Sequence, residues 1–248
     1  MRKIHVITQK EAVSEEKLKG CSAVVVDVFL ATSTIAILLE NNYGPIYAVK
    51  NSESALELEK ELGESAVLLG ETKGEPIEGF QYPDPCLIEP AAEKKTAIIC
   101  STNGTIAIEK AKKAKELFMS SLVNGHAVAE HLHNQTEPSS IVLICSGNDD
   151  RFSMEDFVGA GQIVDHLLSK GEYVLSDASK LARKTYKNSK AEAFLDLLEC
   201  ETASLLRHFN FEKSMELVIQ KHEKVEVVPI FKDNKILCEL KKTLNKTN

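Results

Sequence analysis

Ala23-Val24-Val25-Val26-Asp27-Val28-Phe29-Leu30-Ala31-Thr32-Ser33-Thr34-Ile35-Ala36-Ile37-Leu38-Leu39 carries the clearest fold signal in this 248-residue chain. It opens on a short β-branched apolar run, passes an embedded carboxylate and three adjacent hydroxyls, and returns to an apolar run of helical character. At 17 residues it is the nearest thing in the chain to a membrane span. Asp27 and Thr32-Ser33-Thr34 interrupt it, and a lone carboxylate in hydrocarbon is costly. A buried strand followed by a buried helix fits the pattern, with chemistry at the junction.

The same alternation repeats on either side through the first two-thirds of the chain. Strands are expected at Lys3–Ile7, Ala23–Phe29, Ile46–Val49, Ala66–Leu69, Thr96–Cys100, Leu117–Met119 and Ile141–Cys145. Helices are expected at Thr32–Asn41, Glu53–Leu62, Thr105–Lys112, Ala127–Leu132 and Met154–Leu168, with Ser52 as one N-cap and Ser153-Met-Glu-Asp156 as a capping box. Alternating βα units imply an α/β fold in three layers, a mostly parallel or mixed sheet flanked by helices. Residues 177–222 read as two or three helices. Val225–Phe231 and Ile236–Leu240 then return to β character around an Asp233-Asn234 turn, as a hairpin or an extension of the main sheet. No repeat or Pro/Gly linker divides residues 1–248, which gives one unit, with room for two lobes at 1–170 and 171–248.

Composition narrows the function. A net charge of -7 argues against a nucleic-acid partner, which normally meets a basic face. The N-terminus has too short an apolar run for a signal peptide. Six scattered cysteines with no C-x-x-C pair indicate neither a zinc knuckle nor a redox pair. The expectation is a reduced, cytoplasmic protein with no membrane partner.

In parallel α/β folds ligands sit beyond the carboxyl ends of strands, and four polar segments occupy that position. In the first, Asp27 needs a partner such as magnesium, and Thr32, Ser33 and Thr34 open a helix whose N–H groups suit a phosphate. An anchoring Asp27 and a capping Thr32 are the bland alternative. The second, Gly70-Glu71-Thr72-Lys73-Gly74-Glu75-Pro76-Ile77-Glu78-Gly79-Phe80, offers Glu71 as a metal ligand next to a strand end. The third, Ser101-Thr102-Asn103-Gly104-Thr105, has the residue types of an anion-binding nest, or of an ordinary βα turn. The fourth, Cys145 to Asp156, carries four carboxylates within eight residues (Asp149, Asp150, Glu155 and Asp156). Magnesium takes oxygen ligands of this kind, and acids at a helix start also favour its macrodipole.

Other templates fit less well. Cys145 and Arg151 have the Cys-x5-Arg spacing of thiol-dependent phosphatases, but Asp149 and Asp150 would lie inside that cradle and repel a thiolate. No phosphate-binding or dinucleotide-binding glycine motif occurs. Gly159-Ala160-Gly161 lies mid-helix and suits close packing on the sheet.

In order and spacing, the four segments together resemble the 2-phosphosulfolactate phosphatase family (ComB-like). Its Asp-Val-Leu-Arg-Ala-Thr-Ser-Thr is matched by Asp27 to Thr34 at all but two positions, its Gly-Glu-Arg-x-Gly by Gly70, Glu71 and Gly74, and its Thr-Thr-Asn-Gly-Thr by Ser101 to Thr105. Its Cys-Ala-Gly and Phe-x-x-Glu-Asp are matched by Cys145-Ser-Gly147 and by Phe152 with Glu155-Asp156. Two arginines of the pattern are Leu30 and Thr72 here.

The resemblance implies a Mg2+-dependent phosphatase that turns a small anionic substrate, 2-phosphosulfolactate, into sulfolactate and phosphate, a step of coenzyme M biosynthesis. Asp27, Glu71 and Asp156 would be catalytic, holding magnesium with Glu155. Thr32, Ser33, Thr34, Lys73, Ser101, Asn103, Gly104 and Thr105 would bind the phosphorylated substrate. Water and Asp27 are both open as the attacking group, and a homodimer is compatible with the resemblance. The alternatives are a catalytically impaired anion- or partner-binding relative, which Leu30 and Thr72 suggest, and the thiol mechanism at Cys145 and Arg151.

Overall fold

The computed structural model describes residues 1–63, 65–137 and 139–239. In chain order the elements are β1 (Lys3–Ile7), α1 (Glu15–Leu18), β2 (Ser22–Val26), α2 (Ala31–Glu40), β3 (Tyr43–Val49), α3 (Ser52–Leu62), β4 (Val67–Thr72), β5 (Glu75–Pro76), β6 (Lys95–Cys100) and α4 (Gly104–Ala111). There follow β7 (Glu116–Ser120), α5 (Gly125–His133), β8 (Ile141–Cys145), α6 (Met154–Lys170), β9 (Val174–Leu175), α7 (Asp177–Ala191), α8 (Glu201–His208), α9 (Glu212–Gln220), β10 (Pro229–Lys232) and β11 (Lys235–Cys238).

These strands form one 11-stranded mixed sheet in the order β5-β4-β6-β3-β11-β10-β7-β2-β8-β1-β9. At its centre β2 lies parallel to both β7 and β8. All five residues of β2 are buried, as expected for a parallel strand covered on both faces. Alternate side chains feed the two layers: Val24 and Val26 join one apolar core, Ala23 and Val25 the other. In α6, a Cβ on Gly159 would sit 2.9 Å from both Val26 and Val28, so glycine lets this helix approach β2.

The α/β sandwich expected from the sequence is therefore present, and the differences are local. The C-terminal β10–β11 hairpin is inserted between β3 and β7 and pairs antiparallel with both. Asp233 and Asn234 turn it with positive φ at both positions, as a two-residue hairpin loop requires. Strand character begins at Pro229 rather than Val225, β5 and β9 are additional short strands, and the expected end at Leu240 lies outside the described residues. Asn51, not Ser52, caps α3 by accepting from the Ser54 N–H at 2.9 Å. Ser153 occupies the N-cap of α6 without a side-chain cap bond, and the Asp156 carboxylate turns to two other loops, so the capping box is not formed. Among the described residues no helix is long and apolar enough to cross a membrane.

Candidate active site

β1, β2 and β8 run parallel to one another, as do β4 and β6, and the antiparallel β10–β11 hairpin lies between the two sets. Around the segments that follow β2, β4, β6 and β8 lies a cavity of about 250 Å³, whose lining includes Asp27, Glu71, Lys73, Ser101, Asn103, Asn148 and Arg151. The volume has room for roughly eight water molecules, the size of a small substrate.

Asp27 lies where β2 gives way to α2. Its Oδ1 accepts the Ala31 N–H at 3.1 Å, so this carboxylate occupies the anion position at the start of α2. Burial pushes its carboxyl up to about 7, and the negative charges of Glu155 and Glu71 add to the effect. The Ser101–Thr105 turn presses against it: a Cβ on Gly104 would lie 2.8 Å from Asp27 Oδ2 and 2.6 Å from Ala31 Cβ. Only glycine fits there without displacing the acid.

Glu71, the penultimate residue of β4, also lines the cavity. Its Oε1 accepts the Thr102 N–H at 2.5 Å, and its Oε2 accepts from the Thr102 hydroxyl at 3.0 Å and the Gly74 N–H at 2.8 Å. Glu71 thereby ties the glycine-rich loop to the Ser101–Thr105 turn. Thr102 Oγ1 in turn accepts the Lys73 N–H at 2.7 Å.

The Asp156 carboxylate joins two strand-end loops, Oδ1 accepting the Val28 N–H at 2.8 Å and Oδ2 the Gly147 N–H at 3.1 Å. It is 2% exposed, and its proton affinity is raised well above normal by burial and by Asp27 and Glu155. Glu155 is equally buried and accepts from the Cys200 thiol at 3.3 Å. Both acids stand behind the cavity rather than on its lining. Among the described residues no three His, Cys, Asp or Glu side chains are grouped to hold one metal ion. Of the four carboxylates that the resemblance assigns to magnesium, Asp27 and Glu71 line the cavity, and Asp149 of the fourth segment lines it too.

The other sequence-named residues divide in the same way. Ser101, Asn103 and Lys73 line the cavity. Ser101 and Thr105 cap each other, with the Thr105 N–H donating to Ser101 Oγ at 3.2 Å and the Thr105 hydroxyl to the Ser101 carbonyl at 2.8 Å. The three hydroxyls after Asp27 are buried and turned to backbone carbonyls. Thr32 donates to Ser120 at 2.6 Å, Ser33 to Val28 at 2.8 Å, and Thr34 to Pro83 at 2.8 Å. They hold the loops in place and do not line the cavity.

The Cys145–Arg151 spacing forms no phosphate cradle. Cys145 is fully buried, and burial together with Asp156 and Glu155 drives its thiol well above the usual range. Arg151 lies at the surface and pairs with Glu201 at 3.2 Å.

Several lining or supporting residues carry no motif. Lys10 follows β1, is 4% exposed, and donates to Asn103 Oδ1 at 2.9 Å. Its position in the loop after a parallel strand is the signal that points to it. Thr202, Leu205 and Leu206 come from α8, far along the chain, and nothing local in their sequence marks them.

The sequence model of the 2-phosphosulpholactate phosphatase family matches residues 7–234. A Clostridium beijerinckii protein named "Probable 2-phosphosulfolactate phosphatase" is 32% identical over 241 residues, covering 96% of this chain and 100% of its own length. Relatives of the same name from Clostridium perfringens strain SM101 and Clostridium tetani are 34% and 33% identical, covering 94% and 93% of this chain and 95% and 97% of their own lengths. On a match that spans nearly the whole chain and includes every strand-end segment around the cavity, the chain belongs to the 2-phosphosulfolactate phosphatase family.

Proposed function

We propose that the chain is a magnesium-dependent phosphatase that hydrolyses a 2-phospho-hydroxy acid, the class to which 2-phosphosulfolactate, named in its relatives, belongs. The observation that carries this reading is the crowding of negative charge at Asp27. A buried carboxyl raised to about 7 faces the cavity beside two further acids. A hard divalent cation relieves such crowding, and the donor set is all oxygen.

Magnesium usually takes only one or two carboxylates, the rest being water and phosphate oxygens. Asp27 and Glu71 on the lining fit that requirement. Asp156 and Glu155 behind them add negative charge and hold the loops. When bound, the ion neutralises phosphoryl oxygens. Ser101 and Asn103 on the lining would face the phosphate, and Lys73 brings a positive charge to the same cavity. In the overall reaction an oxygen from water joins phosphorus, the bond from phosphorus to the C2 oxygen breaks, and that oxygen takes up a proton.

The test is phosphate release from 2-phosphosulfolactate by the purified chain with magnesium and with a chelator. Chelation and Asp27→Asn should each lower the rate by about a hundredfold or more. Undiminished turnover in chelator would overturn the metal dependence. Failure to release phosphate from any 2-phospho acid would overturn the activity.

A further inference from the structure

One wall of the cavity is apolar, and its ionisable groups are few. Phe29 and Leu30 follow β2, Leu205 and Leu206 come from α8, and Tyr82 and Pro83 complete the wall. Phe29, Leu30 and Leu206 are 6–7% exposed and belong to one apolar core, against which Tyr82 packs. Leu205, by contrast, is 40% exposed while lining the cavity.

The wall is also fixed. The Thr34 hydroxyl donates to the carbonyls of Leu30 and Pro83 at 2.9 and 2.8 Å, holding those two segments together. Tyr82 stacks on Phe211 with ring centroids 4.0 Å apart, and the Phe211 N–H donates to the Leu206 carbonyl at 3.0 Å. Asn148 donates to the Thr202 hydroxyl at 3.3 Å, which ties α8 to the loop after β8.

The charged lining consists of Asp27, Glu71 and Asp149 against Lys73 and Arg151. Arg151 already faces Glu201, and the buried Lys10 ammonium is taken by Asn103 and Glu11. Lys73 has no ion-pair partner among the described residues. One phosphate served by a metal and one carboxylate served by Lys73 use up this supply. A second strong acid would meet leucine, and an anion pressed against apolar surface without a partner is disfavoured.

We infer that the cavity selects 2-phospho-hydroxy acids whose remaining C2 substituent is a short alkyl group, in preference to one ending in a sulfonate. This rests on the phosphatase reading above and specifies its substrate. The cavity of about 250 Å³ limits the alkyl group to a few carbons beyond the phosphate and carboxylate.

The experiment compares kcat/KM, with magnesium, for 2-phospholactate (methyl), 2-phospho-4-methylpentanoate (isobutyl) and 2-phosphosulfolactate. The alkyl esters should be favoured by about tenfold or more, within the range that a methylene in an apolar pocket provides. An equal or reversed ratio overturns the inference. Leu205→Arg, at an exposed position that tolerates charge, should narrow the ratio by about tenfold by improving the sulfonate ester. An unchanged ratio with folded Leu205→Arg also overturns it. Should none of the three esters release phosphate, the phosphatase reading fails, and calorimetric binding of the same esters to the intact chain decides the inference separately. Tighter alkyl binding upholds it, and equal or weaker alkyl binding overturns it.

Discussion

The ammonium of Lys10 donates to the side-chain oxygen of Asn103 at 2.9 Å, and the Asp149 N–H reaches the same oxygen at 3.3 Å. Lys10 is 4% exposed and also pairs with Glu11 at 2.9 Å. A buried cation in the loop after β1 thus sets the orientation of a residue in the turn after β6. With its oxygen held, Asn103 has its amide N–H2 left to face an anion.

Lys10→Met removes that restraint while keeping the aliphatic stem. A hydrogen bond from a charged group contributes about 1.5–3 kcal/mol. KM for the phosphorylated substrate and the inhibition constant of inorganic phosphate should both rise by about tenfold or more, with a smaller change in kcat. Lys10→Arg should restore part of the loss. Steady-state kinetics with phosphate as inhibitor checks this, and an unchanged phosphate constant would refute the positioning role.

Gly104→Ala places a methyl group 2.6 Å from Ala31 Cβ and 2.8 Å from Asp27 Oδ2, so either the turn or the acid must move. Overpacking of this kind costs about 1–3 kcal/mol. Chemical denaturation should show that loss, and kcat should fall by about tenfold or more because the displaced group is the candidate metal ligand. A variant with wild-type stability and turnover would show that the contact is slack.

Away from the cavity, Glu223 joins α6, α7 and the segment after α9. Its Oε1 accepts from His166 at 2.7 Å, Tyr186 at 2.9 Å, and Gln162 and Lys190 at 3.4 Å each, while His222 lies 3.3 Å away. His126, ring-adjacent to His166, pairs with Glu226. Burial opposes the charge on Glu223, but the bonds from His166 and Tyr186 and the nearby imidazoles outweigh it and take the carboxyl down to about 2. Burial lowers His222 to about 4, with Glu223 working against the shift and Lys190, His166 and His126 reinforcing it. Both folded-state values lie below the usual ones, 6.5 for histidine and 4.5 for glutamate, so the unfolded chain binds protons first. Stability from His222 is complete above 6.5 and is lost as pH falls through 4. That from Glu223 is complete above 4.5 and is lost as pH falls towards 2. Melting curves at stepped pH should therefore slope downward through both windows, flattening in the first for His222→Gln and in the second for Glu223→Gln. A wild-type stability that rises on acidification through these windows, with parallel variant curves, would contradict this account.

Cys145→Ala should retain more than half of the activity, since the thiol is fully buried and held protonated by burial, Asp156 and Glu155. The cost should be a modest loss of stability, about 1 kcal/mol, for a small core side chain cut back. Abolished turnover in a folded variant would restore the thiol mechanism. Chelator sensitivity measured on the same sample separates the two cases.

Much of the fold was legible because short strands and amphipathic helices leave local periodicities. Ile141–Cys145 matches its expected bounds residue for residue, and Met154 is the expected start of α6. Of the candidate site, the lining acids Asp27 and Glu71 and the turn at Ser101–Thr105 were legible, since a carboxylate or a glycine at a strand end stands out against apolar surroundings. Where the side chains turn was not. Thr32, Ser33 and Thr34 look like phosphate ligands in the chain, yet each hydroxyl is drawn to a backbone carbonyl in the buried junction, where an unpaired hydroxyl would be costly. Asp156 sits in a capping pattern, yet the two strand-end amides it meets offer its carboxylate better-placed donors than its own helix start.

The βα alternation, the central buried strand, the Asp233-Asn234 turn and the acids at the strand ends could be read from the chain alone, because each depends on neighbours a few residues away. The packing of distant segments was needed to bring the C-terminal hairpin into the middle of the sheet, Lys10 to Asn103, Asp27 and Glu71 rather than Glu155 and Asp156 to the cavity lining, and the leucines of α8 to its wall. Those contacts join residues far apart in the chain, Ile46 and Ile236 for instance. They depend on how whole layers pack, which no local pattern of residues encodes.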